Sequence, residues 1–160
     1  MIRKYQDSDR SVLCDFFMQI INEHKDYISH GELQMGIALD EHTIAPDAEI
    51  TWLKYLDNHV QNPLTKIFIY QLKHKVEGFI ISGIEDDGAE PYGIIYDMGV
   101  NPTLRGKHIG SSLIEAALSS LNEQGIDTFY LESGVNNHSA HSFFEKFGFH
   151  HVSNIYRLKQ

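Results

Sequence analysis

The sequence predicts an α/β (α+β) fold, a mixed and mostly antiparallel sheet flanked by helices. Two patterns carry this. A run of strand-forming residues turns back on itself around Lys73-His74-Lys75, as a hairpin does. A strand–helix–strand unit then spans about 92–133, which adds a parallel neighbour to the sheet.

Residues 2–6 read as a short strand. Asp7-Ser8-Asp9 can cap the helix that follows, where Val12, Leu13, Phe16, Phe17, Ile20 and Ile21 recur at helical spacing. Residues 29–47 read as loop-rich. A second helix is expected from about Asp47 to Asn58, carrying Ile50, Leu53 and Leu56, and Asn62-Pro63 ends it. Lys66 to Leu72 and Val76 to Ile84 form the hairpin, and Glu85-Asp86-Asp87-Gly88 makes the next turn. Tyr92 to Val100 is another strand. A glycine-bearing loop leads into a helix with Ile109, Leu113, Ala117 and Leu121 at steps of four, stopped near Gly125. Thr128 to Ser133 is a strand, Ser139 to Phe147 a short helix ending at Gly148, and Val152 to Leu158 a closing strand.

The 160 residues fit a single domain, and 42% hydrophobic with 11% aromatic content is enough to bury a core. No apolar run approaches the roughly 20 residues of a membrane span, and the N-terminus has no signal-peptide core, so a cytoplasmic location is expected. Cys14 alone cannot form an internal disulfide, and within its apolar helical stretch it reads as core rather than nucleophile. A net charge of −9 argues against nucleic acid as a partner. Any anionic ligand needs a local site, because the global field repels it.

That site is the segment Val100-Asn101-Pro102-Thr103-Leu104-Arg105-Gly106-Lys107-His108-Ile109-Gly110. It joins a strand to a helix N-terminus, where unsatisfied N–H groups and the helix dipole attract anions. Its spacing is neither that of a P-loop nor that of a dinucleotide fingerprint. It resembles the pyrophosphate loop of the GNAT superfamily of N-acetyltransferases, which reads Arg or Gln, two residues, Gly, one residue, Gly or Ala. Arg105 stands at the first position and Gly110 at the last, with His108 in place of the middle glycine. A second family pattern follows in register: Asn137-His138-Ser139-Ala140, then Phe143-Phe144, then Gly148-Phe149. The resemblance covers most of the chain and is weakest at residues 29–62.

The resemblance implies acetyl-CoA as cosubstrate and direct attack by an amine in a ternary complex. Arg105 and the backbone of Gly106, Lys107, His108, Ile109, Gly110 and Ser111 would bind the pyrophosphate. Main-chain groups of Met98 and Val100 would pair with the pantetheine arm between strands that splay apart, here residues 93–100 and 128–134. Asn137 either touches that arm or caps the next helix. Glu132 matches a glutamate that serves as base in some members, or is a solvent-facing strand residue. Strand alternation places Tyr96 with Met98 and Val100 on the cleft side, where it could hold a water, and Asp97 on the other face. Phe144 occupies the position of the usual tyrosine proton donor and cannot donate a proton. No metal is expected, since His138 and His141 lack further ligands at suitable spacing. The acceptor stays open between an amine-bearing small molecule and a peptide N-terminus, and a homodimer is compatible with the family. The rival reading, resting on His108 and Phe144, is a non-catalytic acyl-CoA-binding regulatory module.

Overall fold

A computed structural model describes residues 1–160. The chain runs β1 (Ile2–Lys4), α1 (Arg10–Glu23), α2 (His30–Met35), α3 (Ala48–Gln61), β2 (Thr65–Leu72), β3 (Lys75–Glu85), β4 (Tyr92–Val100), α4 (Ile109–Asn122), β5 (Phe129–Leu131) and α5 (His138–Lys146). The five strands form one sheet in the order β1-β2-β3-β4-β5. Every pairing is antiparallel except that of β4 with β5, which is parallel. Lys73 and His74 both have positive φ, which gives the two-residue turn of the β2–β3 hairpin its right-handed twist.

The sheet is covered on both faces. Side chains alternate along β3, so Phe79 and Ile81 join the cluster under α1 and α3, while Ile80 joins the cluster under α4. In the first cluster Trp52 is fully buried and stacks on Phe17, ring centroids 4.6 Å apart. Ile109, Leu113, Ile114 and Ala117 fill the second. Cys14 is buried in the first cluster, and burial pushes its thiol up to about 11, as suits a core residue rather than a nucleophile. No helix is long and apolar enough to cross a membrane.

Several sequence expectations are corrected. Val152 to Leu158 forms no strand; Tyr156 and Leu158 are 90% and 83% exposed. Strand-forming residues such as Val152, Ile155 and Tyr156 make a strand only where a sheet edge lies within reach. The tail makes no backbone hydrogen bond, and the Arg157 guanidinium lies instead 3.4 Å from the Leu39 carbonyl oxygen. Asp9 does not cap α1. Its carboxylate accepts two 2.7 Å bonds from the Arg3 guanidinium and one from the Gln6 N–H, tying β1 to the start of the helix. In α3 the inward face is Ala48, Trp52 and Leu56, and Ile50 is 60% exposed, because tryptophan commands the contact with α1. The segment 29–47 is not all loop: α2 lies within it, started by a reciprocal Ser29–Glu32 capping box and stopped by Gly36 at φ 81°.

Candidate active site

Between β4 and β5 the sheet opens. Their ladder holds only from Gly93–Phe129 to Ile95–Leu131, and beyond it the strands separate. The second half of β4 is therefore bonded only to β3, leaving its other edge free. A cavity of about 390 Å³ occupies the gap. Tyr96, Met98, Val100, Arg105, Gly106, His108, Ile109, Gly110, Ser111, Glu132, Asn137 and Phe144 all line it. Of the residues selected from sequence, only Lys107 lies outside its wall. Asp97, Glu32, Ser133 and Tyr27 line it as well and were not selected.

The loop end of the cavity is built for an anion. Helix α4 begins at Ile109, and its first intrahelical acceptor is the His108 carbonyl, used by Ser112. The N–H groups of Gly106, His108, Ile109, Gly110 and Ser111 make no backbone hydrogen bond. Five free donors at a helix N-terminus fit a pyrophosphate. His108 adopts φ 61°, a left-handed conformation that favours glycine. Gly110 is needed for closeness: a Cβ there would stand 3.1 Å from the Phe143 ring and 3.3 Å from Met98 Cε. Arg105 reaches across the mouth. Its guanidinium lies 5.2 Å from the centroid of the Tyr27 ring, donates to the Tyr27 hydroxyl, and donates to Ser139 Oγ at 3.3 Å. Asn137 caps α5, its side-chain oxygen accepting from the Ala140 N–H at 3.3 Å.

The other end carries carboxylates from three separate parts of the chain: Glu32 of α2, Asp97 of β4 and Glu132 just past β5. A bulge decides their placing. Ile81 pairs with Asp97 and Ser82 with Ile95, so Tyr96 is an extra residue in β4. The bulge turns Tyr96 and Asp97 to the same face, that of α1 and α3, while Met98 and Val100 pack on the α4 side. This overturns the alternation expected from sequence, which put Tyr96 with Met98 and Asp97 opposite. Tyr96 borders the cavity, but its hydroxyl donates to Glu85, and burial together with that carboxylate raises its pKa. Asp97 accepts from Trp52 Nε1 at 3.2 Å. Burial, and then the nearby Glu32 charge, push its carboxyl up to about 7. Glu132 is half-exposed and meets His30 Nδ1 at 3.0 Å. His141 Nε2 lies 2.9 Å from the Gly134 carbonyl oxygen.

The model of the acetyltransferase (GNAT) family matches residues 30–149. The chain belongs to the GNAT acetyltransferase family. A mycothiol acetyltransferase of Propionibacterium freudenreichii subsp. shermanii is 33% identical over 78 residues, 48% of this chain and 24% of that relative. The chain thus matches about a quarter of the curated relative's length. An aminoglycoside antibiotic 6'-N-acetyltransferase of Acinetobacter haemolyticus superposes with TM-score 0.73 over 100% of this chain and 97% of its own, at 13% identity. An aminoglycoside acetyltransferase solved with a CoA bisubstrate analogue, CoA-S-monomethyl-acetylneamine, superposes with TM-score 0.70 over 100% and 97%, at 14% identity. At such identities the likeness speaks for the fold.

Proposed function

We propose that the protein transfers an acetyl group from acetyl-CoA to a primary amine by direct attack in a ternary complex. The observation that carries this reading is a single cavity with free backbone N–H donors at one end and Asp97 at the other. A free ammonium of pKa ~10.4 is deprotonated only about once in 10³ at pH 7, so a base helps. Asp97 is suited to that task because a carboxyl near 7 is about half ionised at neutral pH yet holds a proton it has taken. Glu132, the base expected from sequence, is exposed and already engaged with His30, which suits it to holding an acceptor's charge. The three carboxylates that line the cavity favour a cationic small molecule over an acidic one, with a peptide N-terminus as the second candidate.

Acetyl-CoA fits the residues present. The N–H groups around α4 and Arg105 take the pyrophosphate, and the free edge of β4 at Met98 and Val100 pairs with the amide groups of the pantetheine arm. Phe143 and Phe144 supply apolar wall beside it. The thioester brings the activated acyl carbon, and this chain's part is to orient it, exclude water and take the amine proton.

Calorimetric titration with acetyl-CoA, followed by an amine and peptide panel with thiol release as the readout, tests the reading. Binding with amine-dependent release supports it. Binding without release from any amine favours the regulatory module, and absence of binding defeats both.

A further inference from the structure

Beyond β4 and α4 the chain lacks a covering layer. From Phe129 to Gln160 the one fully buried residue is Gly134. Phe143, Phe144 and Phe147 of α5 pack against the α4 cluster, yet none of them is closed off from solvent. Tyr130 in β5 is exposed, and so are Val152, Ile155, Tyr156 and Leu158. Exposed apolar side chains concentrated in this way point to a binding surface.

Two of these segments have matching needs. β5 ends the sheet: it pairs with β4, and its outer N–H and C=O groups have no backbone partner. Such an edge is a template for another strand, and between Glu123 and Asn137 no lysine or proline guards it. Segment 152–158 is rich in strand-forming residues and makes no backbone hydrogen bond. Within one chain the two do not pair. Gly148, at φ 90°, stops α5, and the Arg157 guanidinium further on lies 3.4 Å from the Leu39 carbonyl oxygen.

Charge selects the edge. Residues 149–160 hold Arg157 and Lys159 and no Asp or Glu, in a protein of net charge −9. Residues 123–132 hold Glu123, Asp127 and Glu132 and no lysine or arginine. The sheet's other edge, β1, carries Arg3 and Lys4 and offers a basic segment no attraction.

We propose that segment 152–158 of one copy of the chain pairs as an added strand along the outer edge of β5 in a second copy, and that the exchange is reciprocal. A second copy supplies both halves: it brings the strand this edge lacks and the edge this strand lacks. A twofold axis makes the two contacts identical. The backbone ladder gives the affinity, while the apolar side chains and opposite charges give the specificity. Pairing of this kind needs no acetyl transfer and stands or falls apart from it.

Sedimentation equilibrium of the full chain is expected to show a dimer. Consecutive residues of a strand aim their N–H groups to opposite sides, so one of Ile155→Pro and Tyr156→Pro deletes an N–H that faces the edge. Each contact occurs twice, so that variant should raise the dimer's dissociation constant by about tenfold. Circular dichroism should not change, because the segment has no ladder within its own chain. Tyr130→Cys protein mixed with Ile155→Cys protein should cross-link to twice the chain mass through a short bis-maleimide. A linker spanning about 10 Å tolerates a shift of about three residues in register. The native Cys14 is buried away from the reagent. A chain that stays monomeric overturns the proposal. A dimer indifferent to both prolines, or one that gives no mixed cross-link, is built on another surface and also overturns it.

Discussion

Replacing Asp97 by asparagine separates what the carboxylate does for catalysis from what it does to stability. Asparagine keeps a carbonyl oxygen for Trp52 Nε1, which now lies 3.2 Å from the carboxylate, but cannot take a proton. Folding raises the Asp97 carboxyl from 3.8 to about 7, so below pH 3.8 it is neutral in both states and destabilises nothing. As pH rises towards 7 the unfolded chain ionises and the native one resists, so stability falls across that window. The difference of about 3 units at roughly 1.4 kcal/mol each sets an upper bound near 4 kcal/mol at neutral pH. Solvent reaching the carboxylate through the cavity reduces it, to roughly 2–3 kcal/mol. D97N is therefore expected to be more stable than wild type at pH 7 by urea unfolding, and to lose the decline between pH 4 and 7. Its kcat/KM should fall by about 10²–10⁴, with the wild-type limb near pH 7 abolished. Glu32→Gln removes the second cause of the shift and should move that limb to lower pH. A D97N enzyme that retains nearly full activity, or one less stable than wild type at pH 7, would refute the reasoning.

His108→Gly relieves a left-handed conformation in a residue with a Cβ, and should raise stability by roughly 1 kcal/mol in thermal melts while CoA affinity is kept or improved. Arg105→Ala removes both the span to Tyr27 and a cation at the phosphate loop; calorimetry should show CoA binding weakened by about tenfold, with less than about 1 kcal/mol change in stability because the ion is exposed. Asp9→Asn removes the charged partner of the Arg3 guanidinium, which keeps its bonds to Gln71 Oε1 and the Lys4 carbonyl, and should lower stability by about 1–3 kcal/mol. The Arg3 partnership depresses the Asp9 carboxyl, so its contribution is present above pH 3.8 and lost as pH falls below it, a loss that D9N should not show. Gly134→Ala would place a Cβ 2.5 Å from the Ile28 carbonyl oxygen; this backbone contact should lower stability by about 2 kcal/mol and loosen CoA by moving the segment around Tyr27.

Local order along the chain was sufficient for much of this protein. Helical and strand periods, the Arg105–Gly110 loop and the Asn137–Phe149 pattern identified the α/β fold and the family, and they picked out residues that line the loop end of the cavity, because that end is built from contiguous residues. The Ser29–Glu32 capping box with Gly36 after it was also written locally, and reading it would have found α2. The reacting end was different. Asp97 acquires its raised pKa from burial and then from Glu32, 65 positions earlier, and it meets Trp52 only because a one-residue bulge at Tyr96 reverses the alternation of β4. A bulge depends on how two strands register, which no single strand's sequence states. The same holds for Val152 to Leu158, whose strand-like pattern needs an edge that the fold does not bring to it. Sequence determined the elements and the loop before α4; pairing register and burial decided which carboxylates line the cavity.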